Sequence, residues 1–109
     1  MASVQSVLDR YRNAFDSLDA TAVEGFWPSA DVRALGRAFA QLESQRFQFD
    51  QCHIDLAGAR AFASCQGYAQ YVAKAGSRSV SYQPRQWTFT LGEVKDGWVI
   101  LSVDARPLR

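Results

Sequence analysis

The sequence predicts an α+β fold: three N-terminal helices packed on one face of a strongly bent antiparallel sheet of about four long strands. Apolar residues recur at helical spacing through about the first 45 positions and at a spacing of two thereafter, which places helices and strands in separate layers. The apolar set changes parity near Asp50-Gln51, implying a β-bulge, and a bulge bends a strand and strengthens its twist. A later strand carries Ala61, Ala63, Cys65, Gly67 and Ala69 on one face, and small side chains leave space above them.

The first helix is expected over Ser3 to Leu18, with Val4, Val7, Leu8, Tyr11, Ala14, Phe15 and Leu18 on one stripe. A buried tyrosine at the centre of that stripe needs a partner for its hydroxyl: a side chain, a water or a ligand. Asp19 can cap a short second helix whose apolar residues Val23, Phe26 and Trp27 end against Pro28. Ser29 or Asp31 caps a third, with the stripe Val32, Leu35, Phe39 and Leu42; Gly36 within it is a weak point that marks close packing on a neighbour. One domain is therefore expected over residues 1–109, with helices in 3–44 and the sheet in 45–106.

In the sheet, Phe47 and Phe49 precede the bulge and Cys52, Ile54 and Leu56 follow it. A tight turn at Ala57-Gly58-Ala59-Arg60 sets Leu56 opposite Ala61, Ile54 opposite Ala63 and Cys52 opposite Cys65. Cross-strand Cβ atoms stand about 4.5–5.5 Å apart, near disulfide range; for a reducing compartment we expect two buried thiols. The second strand ends at Tyr71, and Ser77 to Ser79 form the next turn. The third strand, Val80 to Leu91, sets Arg85, Trp87, Phe89 and Leu91 against Gln86, Thr88 and Thr90, leaving open which side lines a pocket; Pro84 suggests an edge or bulged position. Asp96-Gly97 signals a hairpin. The last strand alternates Val99, Leu101 and Val103 with Trp98, Ile100 and Ser102, so both faces are partly apolar. Because tryptophans 87 and 98 are hard to place in one small core, a homodimer through the outer sheet face is expected.

The bulk properties narrow the function classes. With 109 residues, 48% apolar and 21% charged, the chain suits one globular domain able to bury a core. No apolar run reaches the roughly 20 residues of a membrane span. Met1-Ala2-Ser3-Val4 leads straight into an amphipathic helix without a basic-then-apolar leader, so a cytoplasmic location is expected. Residues 1–59 carry 5 basic against 8 acidic side chains and residues 60–109 carry 7 against 3, but the basic residues are scattered, which speaks against nucleic acid. With a single histidine and no Cys or acidic cluster, neither a metal nor another cofactor is expected. His53 alternates away from Cys52, Ile54 and Leu56 and belongs to the surface or a dimer face. Asp9 and Asp16 each read as solvated helix-face partners of Arg12.

The opening Leu8-x-x-Tyr11-x-x-Ala14-Phe15-x-x-Leu18-Asp19 and the final Gly97-Trp98-Val99-Ile100, joined by this element order, resemble the nuclear transport factor 2-like superfamily across essentially the whole chain. The resemblance implies a cone-shaped barrel. It embraces ketosteroid isomerase, scytalone dehydratase, polyketide cyclases and domains that bind ligands or dock proteins without catalysis, so the fold leaves function open. Of the isomerase's catalytic groups only the tyrosine carries over, onto Tyr11. The hairpin that bears its base between the second and third helices is missing, since Trp27-Pro28 passes through Ser29-Ala30 directly into the third helix. Its second oxyanion donor falls near Trp87, Thr88 or Thr90, none of them a carboxylic acid.

The expected function is thus binding of an apolar or aromatic small molecule in a pocket lined by Tyr11, Phe15, Trp27, Phe39, Cys65, Gly67, Arg85, Trp87 and Phe89. Tyr11 either donates to a ligand oxygen or bonds within the core. Arg85 is first a guanidinium that snorkels from the rim, and an anchor for an anionic ligand if its face is interior. Two alternatives remain: a lyase, isomerase or cyclase using Tyr11 as hydrogen-bond donor, and a docking or dimerisation module.

Overall fold

The computed structural model describes residues 3–76 and 79–108. Three helices, α1 (Val4–Asp16), α2 (Ala20–Val23) and α3 (Val32–Ala40), precede four strands, β1 (Leu42–Ala57), β2 (Arg60–Ala73), β3 (Ser81–Val94) and β4 (Gly97–Pro107). The strands form one antiparallel sheet in the order β1-β2-β3-β4, and α1 packs against β1 and β4. No helix among the described residues is long and apolar enough to cross a membrane.

Each helix starts where a side chain satisfies a free amide. Ser3 accepts from the Ser6 N–H, Asp19 from Ala22 and Asp31 from Ala34, at 3.0–3.1 Å. The α1 stripe is buried as expected from Val4 to Phe15. Its end is a Schellman motif, in which Asp19 N–H donates to the Ala14 carbonyl at 2.9 Å and Leu18 N–H to that of Phe15 at 3.1 Å. Leu18 there has φ 54°, a left-handed conformation costing about 1–2 kcal/mol for a non-glycine, and its side chain packs on the core. Helix α3 stops at Ala40, four residues before the expected limit. Leu42 extends the apolar spacing of α3 across the turn because, as the first residue of β1, it lies partly buried opposite Ala73.

The β1–β2 register agrees with the sequence reading. Leu56 faces Ala61, Ile54 faces Ala63 and Cys52 faces Cys65 around the two-residue turn Gly58-Ala59, and the ladder shifts between Phe49 and Gln51. A second bulge, between Thr90 and Leu91 in the β3–β4 ladder, departs from it. Thr90 pairs with Ser102 but Leu91 with Ile100, so Leu101 is the extra residue and Ile100 and Val103 turn to the same side. Both faces of β4 looked apolar because its parity changes midway. Trp87 is fully buried and Trp98 packs partly buried on the same core, so the two tryptophans share it after all.

Pro84 does not mark an edge strand, since β3 lies inside the sheet. Its carbonyl accepts from Leu108 N–H at 2.9 Å, just past the Arg85–Pro107 pair that ends the β4 ladder, so its missing N–H falls where pairing stops. At the last hairpin the turn residues are Lys95 and Asp96, with Gly97 (φ 147°) opening β4. Ser77 and Arg78, in the turn expected there, lie outside the described residues. Gly36 has nothing within 4 Å of where a Cβ would stand, so it marks no close packing.

Candidate functional site at the aromatic core

Rings from α1, the helical segment and three strands meet between α1 and the sheet. Tyr11 is 3% exposed and stands at the centre, its ring centroid 4.3 Å from Phe15, 5.0 Å from Phe89, 6.1 Å from Phe47 and 6.5 Å from Phe26 and Trp27. Phe39 of α3 meets Phe15 edge to face at 5.2 Å, while Phe47 and Phe49 reach Trp87 at 5.1 and 4.9 Å. Spacings of this size are those of aromatic pairs in contact. The trough of small β2 residues is therefore filled: Ala63 and Cys65 lie opposite Phe89 and Trp87, whose large rings use the room. Gly67 serves another purpose. A Cβ there would overlap the Gln48 carbonyl oxygen and lie 2.8 Å from its carbon, because the β1 bulge carries that peptide over the glycine.

One end of this cluster is polar. Phe49, Gly67 and Arg85 form a row across three strands, and Tyr71 lies two rows further along the inner face. The Arg85 guanidinium carbon stands 5.4 Å from the Tyr71 ring centroid, and Arg85 donates to Gln83 Oε1 at 2.6 Å. The face of β3 that lines the interior is thus the one with Arg85, Trp87 and Phe89. Burial pushes the Tyr11 hydroxyl well above its ordinary pKa; Tyr71 adds to that rise and the positive Arg85 opposes it, so all three groups lie within electrostatic reach. Tyr71 is raised too, by burial against the same opposing arginine. Both phenols are hydrogen-bond donors at neutral pH. Buried Nε atoms of Trp27, Arg85 and Trp87 have no partner in the structure. A surface cleft of about 260 Å³ beside this end is lined by Gln45 and Tyr71, among others.

Tyr11, Phe15, Trp27, Phe39, Trp87 and Phe89 therefore join in one cluster, with Arg85 at its polar end. Sequence reasoning passed over Phe47, Phe49 and Tyr71 as site residues, although their alternation placed them on the inner face. Two expectations are corrected. Cys52 and Cys65 are joined by a disulfide and are not two thiols, with Cα atoms 4.1 Å apart, because their register across the ladder brings the sulfurs into bonding reach. Asp16 is not a surface partner of Arg12: its carboxylate accepts from the Phe47 N–H at 2.7 Å and ties the end of α1 to β1. Burial raises its pKa, an effect the Phe47 amide and then Arg12 and Arg46 oppose. Beside it, the buried Gln45 side chain donates to the Phe15 carbonyl at 2.9 Å. Asp9 and Arg12 do approach, at 3.7 Å, and His53 is exposed, 3.1 Å from Asp55. No group of potential metal ligands occurs among the described residues.

The architecture, a curled four-stranded sheet with three helices preceding it and an aromatic interior, is the nuclear transport factor 2-like fold. A protein from Streptomyces avermitilis described as a dehydratase of that family superposes with a TM-score of 0.86 over 97% of this chain and 94% of its own, at 15% identity. A superfamily protein from Salmonella enterica gives 0.86 over 97% and 89%, at 14% identity. One from Novosphingobium aromaticivorans described as a scytalone dehydratase gives 0.82 over 97% and 82%, at 12% identity. No family model and no curated relative matches the sequence. Likeness at this identity extends to the fold and not to the chemistry.

Proposed function

We propose that the chain is a small-molecule-binding domain whose apolar or aromatic ligand inserts its body into the aromatic cluster from the Tyr71 end. The observation that carries this reading is the Arg85 guanidinium over the Tyr71 ring at one end of the cluster, where Tyr71 also lines a surface cleft. An unmatched buried donor costs about 1–3 kcal/mol, and Arg85 and Trp87 each present one. The rings already touch, so binding requires Phe15, Phe47 and Phe49 to part and admit the ligand's body.

Binding is favoured over catalysis because Tyr11 has donors around it and no base. Asp16 gives its oxygen to a backbone amide, and the titratable groups that act on Tyr11 are Tyr71 and Arg85, neither of them a carboxylate. Without a base, a lyase or isomerase loses the ~10²–10⁴-fold factor such a group supplies. The test is titration of wild type and Tyr11→Phe with a hydrophobic dye and a flat steroid ketone, with isomerisation assayed alongside. Saturable binding of micromolar strength, about −8 kcal/mol, is expected, weakened severalfold in Tyr11→Phe and accompanied by no turnover above buffer. No saturable binding would sink the reading, and turnover abolished by Tyr11→Phe would replace it with the enzyme alternative.

A second reading, compatible with the first, has the outer sheet face pair with another copy of the chain. Phe62, Tyr68 and Tyr82 are 45%, 43% and 65% exposed there, among the uncharged side chains of Gln48, Gln66 and Gln70. Such a surface, with exposed aromatics beside Arg46, carries the residue types enriched at interfaces.

A further inference from the structure

Arg85 and Trp87 are neighbours on one face of β3, about 7 Å apart along the strand. Each presents a buried nitrogen, Nε and Nε1, with no acceptor. Trp87 is fully buried, and these nitrogens can only donate. The positive charge of Arg85 meets a neutral amide oxygen, Gln83 Oε1 at 2.6 Å, and the face of Tyr71; among the described residues it has no carboxylate partner. One edge of the guanidinium, its Nε, is thus withdrawn from water and unmatched while the other meets the exposed Gln83, an arrangement that an anion would complete.

We infer that the ligand is a flat organic carboxylate, whose head group replaces Gln83 on Arg85 and accepts from the Trp87 indole while its ring system lies among Phe15, Phe47 and Phe49. This rests on the binding reading above and names its ligand class. A carboxylate fits three ways. It is acceptor-only, as the orphan donors require. It is planar, matching the guanidinium fork. Its one remaining lone pair can take the hydroxyl of Tyr71, which lies against the guanidinium and stays protonated. The surrounding rings then contact an aromatic body and exclude water from the ion pair.

The test compares 2-naphthoate with its neutral isostere 2-naphthamide, and with inorganic phosphate, on the full chain. Affinity is read by tryptophan fluorescence and indole N–H resonances by NMR. Naphthoate should bind about tenfold tighter than the amide, the increment expected of a charge-assisted hydrogen bond. The Trp87 indole resonance, assigned with Trp87→Phe, should move with naphthoate and stay still with phosphate. Arg85→Gln should bring the two probes within about twofold of each other. If that variant does not fold, Trp87→Phe serves instead and should weaken naphthoate more than the amide. Equal binding of acid and amide by the wild type would overturn the carboxylate class yet keep the binding reading. Phosphate competing as well as naphthoate would reduce the site to a simple anion site. Binding of neither naphthalene would remove both proposals.

Discussion

Gly67 and Gly36 look alike in the sequence, each a lone glycine inside a periodic stretch, yet their surroundings are opposite. The space where a Gly67 side chain would go is held by backbone, the Gln48 carbonyl and, at 3.1 Å, the Asp50 nitrogen. Neither can yield without undoing the bulge. Gly36→Ala meets open space in α3. Gly67→Ala should therefore destabilise by about 1–3 kcal/mol, as overpacking does, while Gly36→Ala should gain about 0.5–1 kcal/mol through helix propensity. Urea midpoints of the two variants against wild type check this, and a neutral Gly67→Ala would refute the close approach. The stripe of small residues around Gly67 was legible from alternation alone. What lies over it was not, because one strand's pattern cannot say whether neighbouring strands supply rings, a carbonyl or empty space. The same gap hid Phe47 and Phe49, on which rings of α1 and β3 land, and Tyr71, which meets the Arg85 guanidinium.

At the scale of elements, the two β-bulges show when a parity shift is readable. The first stands out because polar Asp50 and Gln51 interrupt two apolar series. The second lies in Val99-Ile100-Leu101, where every residue is apolar and the shift leaves no mark; only the pairing of Leu91 with Ile100 reveals it. The β1–β2 hairpin was legible down to single pairs, since a two-residue turn and strict alternation fix register together. That register predicts chemistry. With Cys52 and Cys65 bonded across the ladder and separated by 13 positions, protein unfolded without reductant should show no free thiols, and reduction should release two. Replacing both by alanine should cost about 2–4 kcal/mol, by freeing the unfolded chain, without altering the strand pairing. Two titratable thiols before reduction would restore the reduced state expected from compartment.

For the molecule as a whole, layer order and curvature followed from where helical spacing gives way to alternation and where the first bulge falls, and the Cα trace agrees with its fold neighbours at 12–15% identity. Assembly is a separate matter, because the reason first found for a dimer, two apolar faces on β4, is explained by the second bulge. What remains is the outer face itself, where Tyr68 and Tyr82 border a cleft of about 240 Å³ with Arg46, Gln48 and Gln70. Edge pairing is the less suited route: β4 ends at Pro107, and its Arg106 is paired with Asp104 at 2.8 Å, features that blunt an edge. A face-to-face dimer burying about 1,200–2,000 Å² should persist at tens of micromolar in sedimentation experiments. Tyr68→Lys with Tyr82→Lys should then yield monomers of unchanged thermal stability, since both side chains lie outside the core. A wild-type monomer at that concentration would rule the dimer out. A dimer indifferent to both lysines would move the interface to an edge strand, because like charges facing each other across the outer sheets could not be accommodated without loss of affinity.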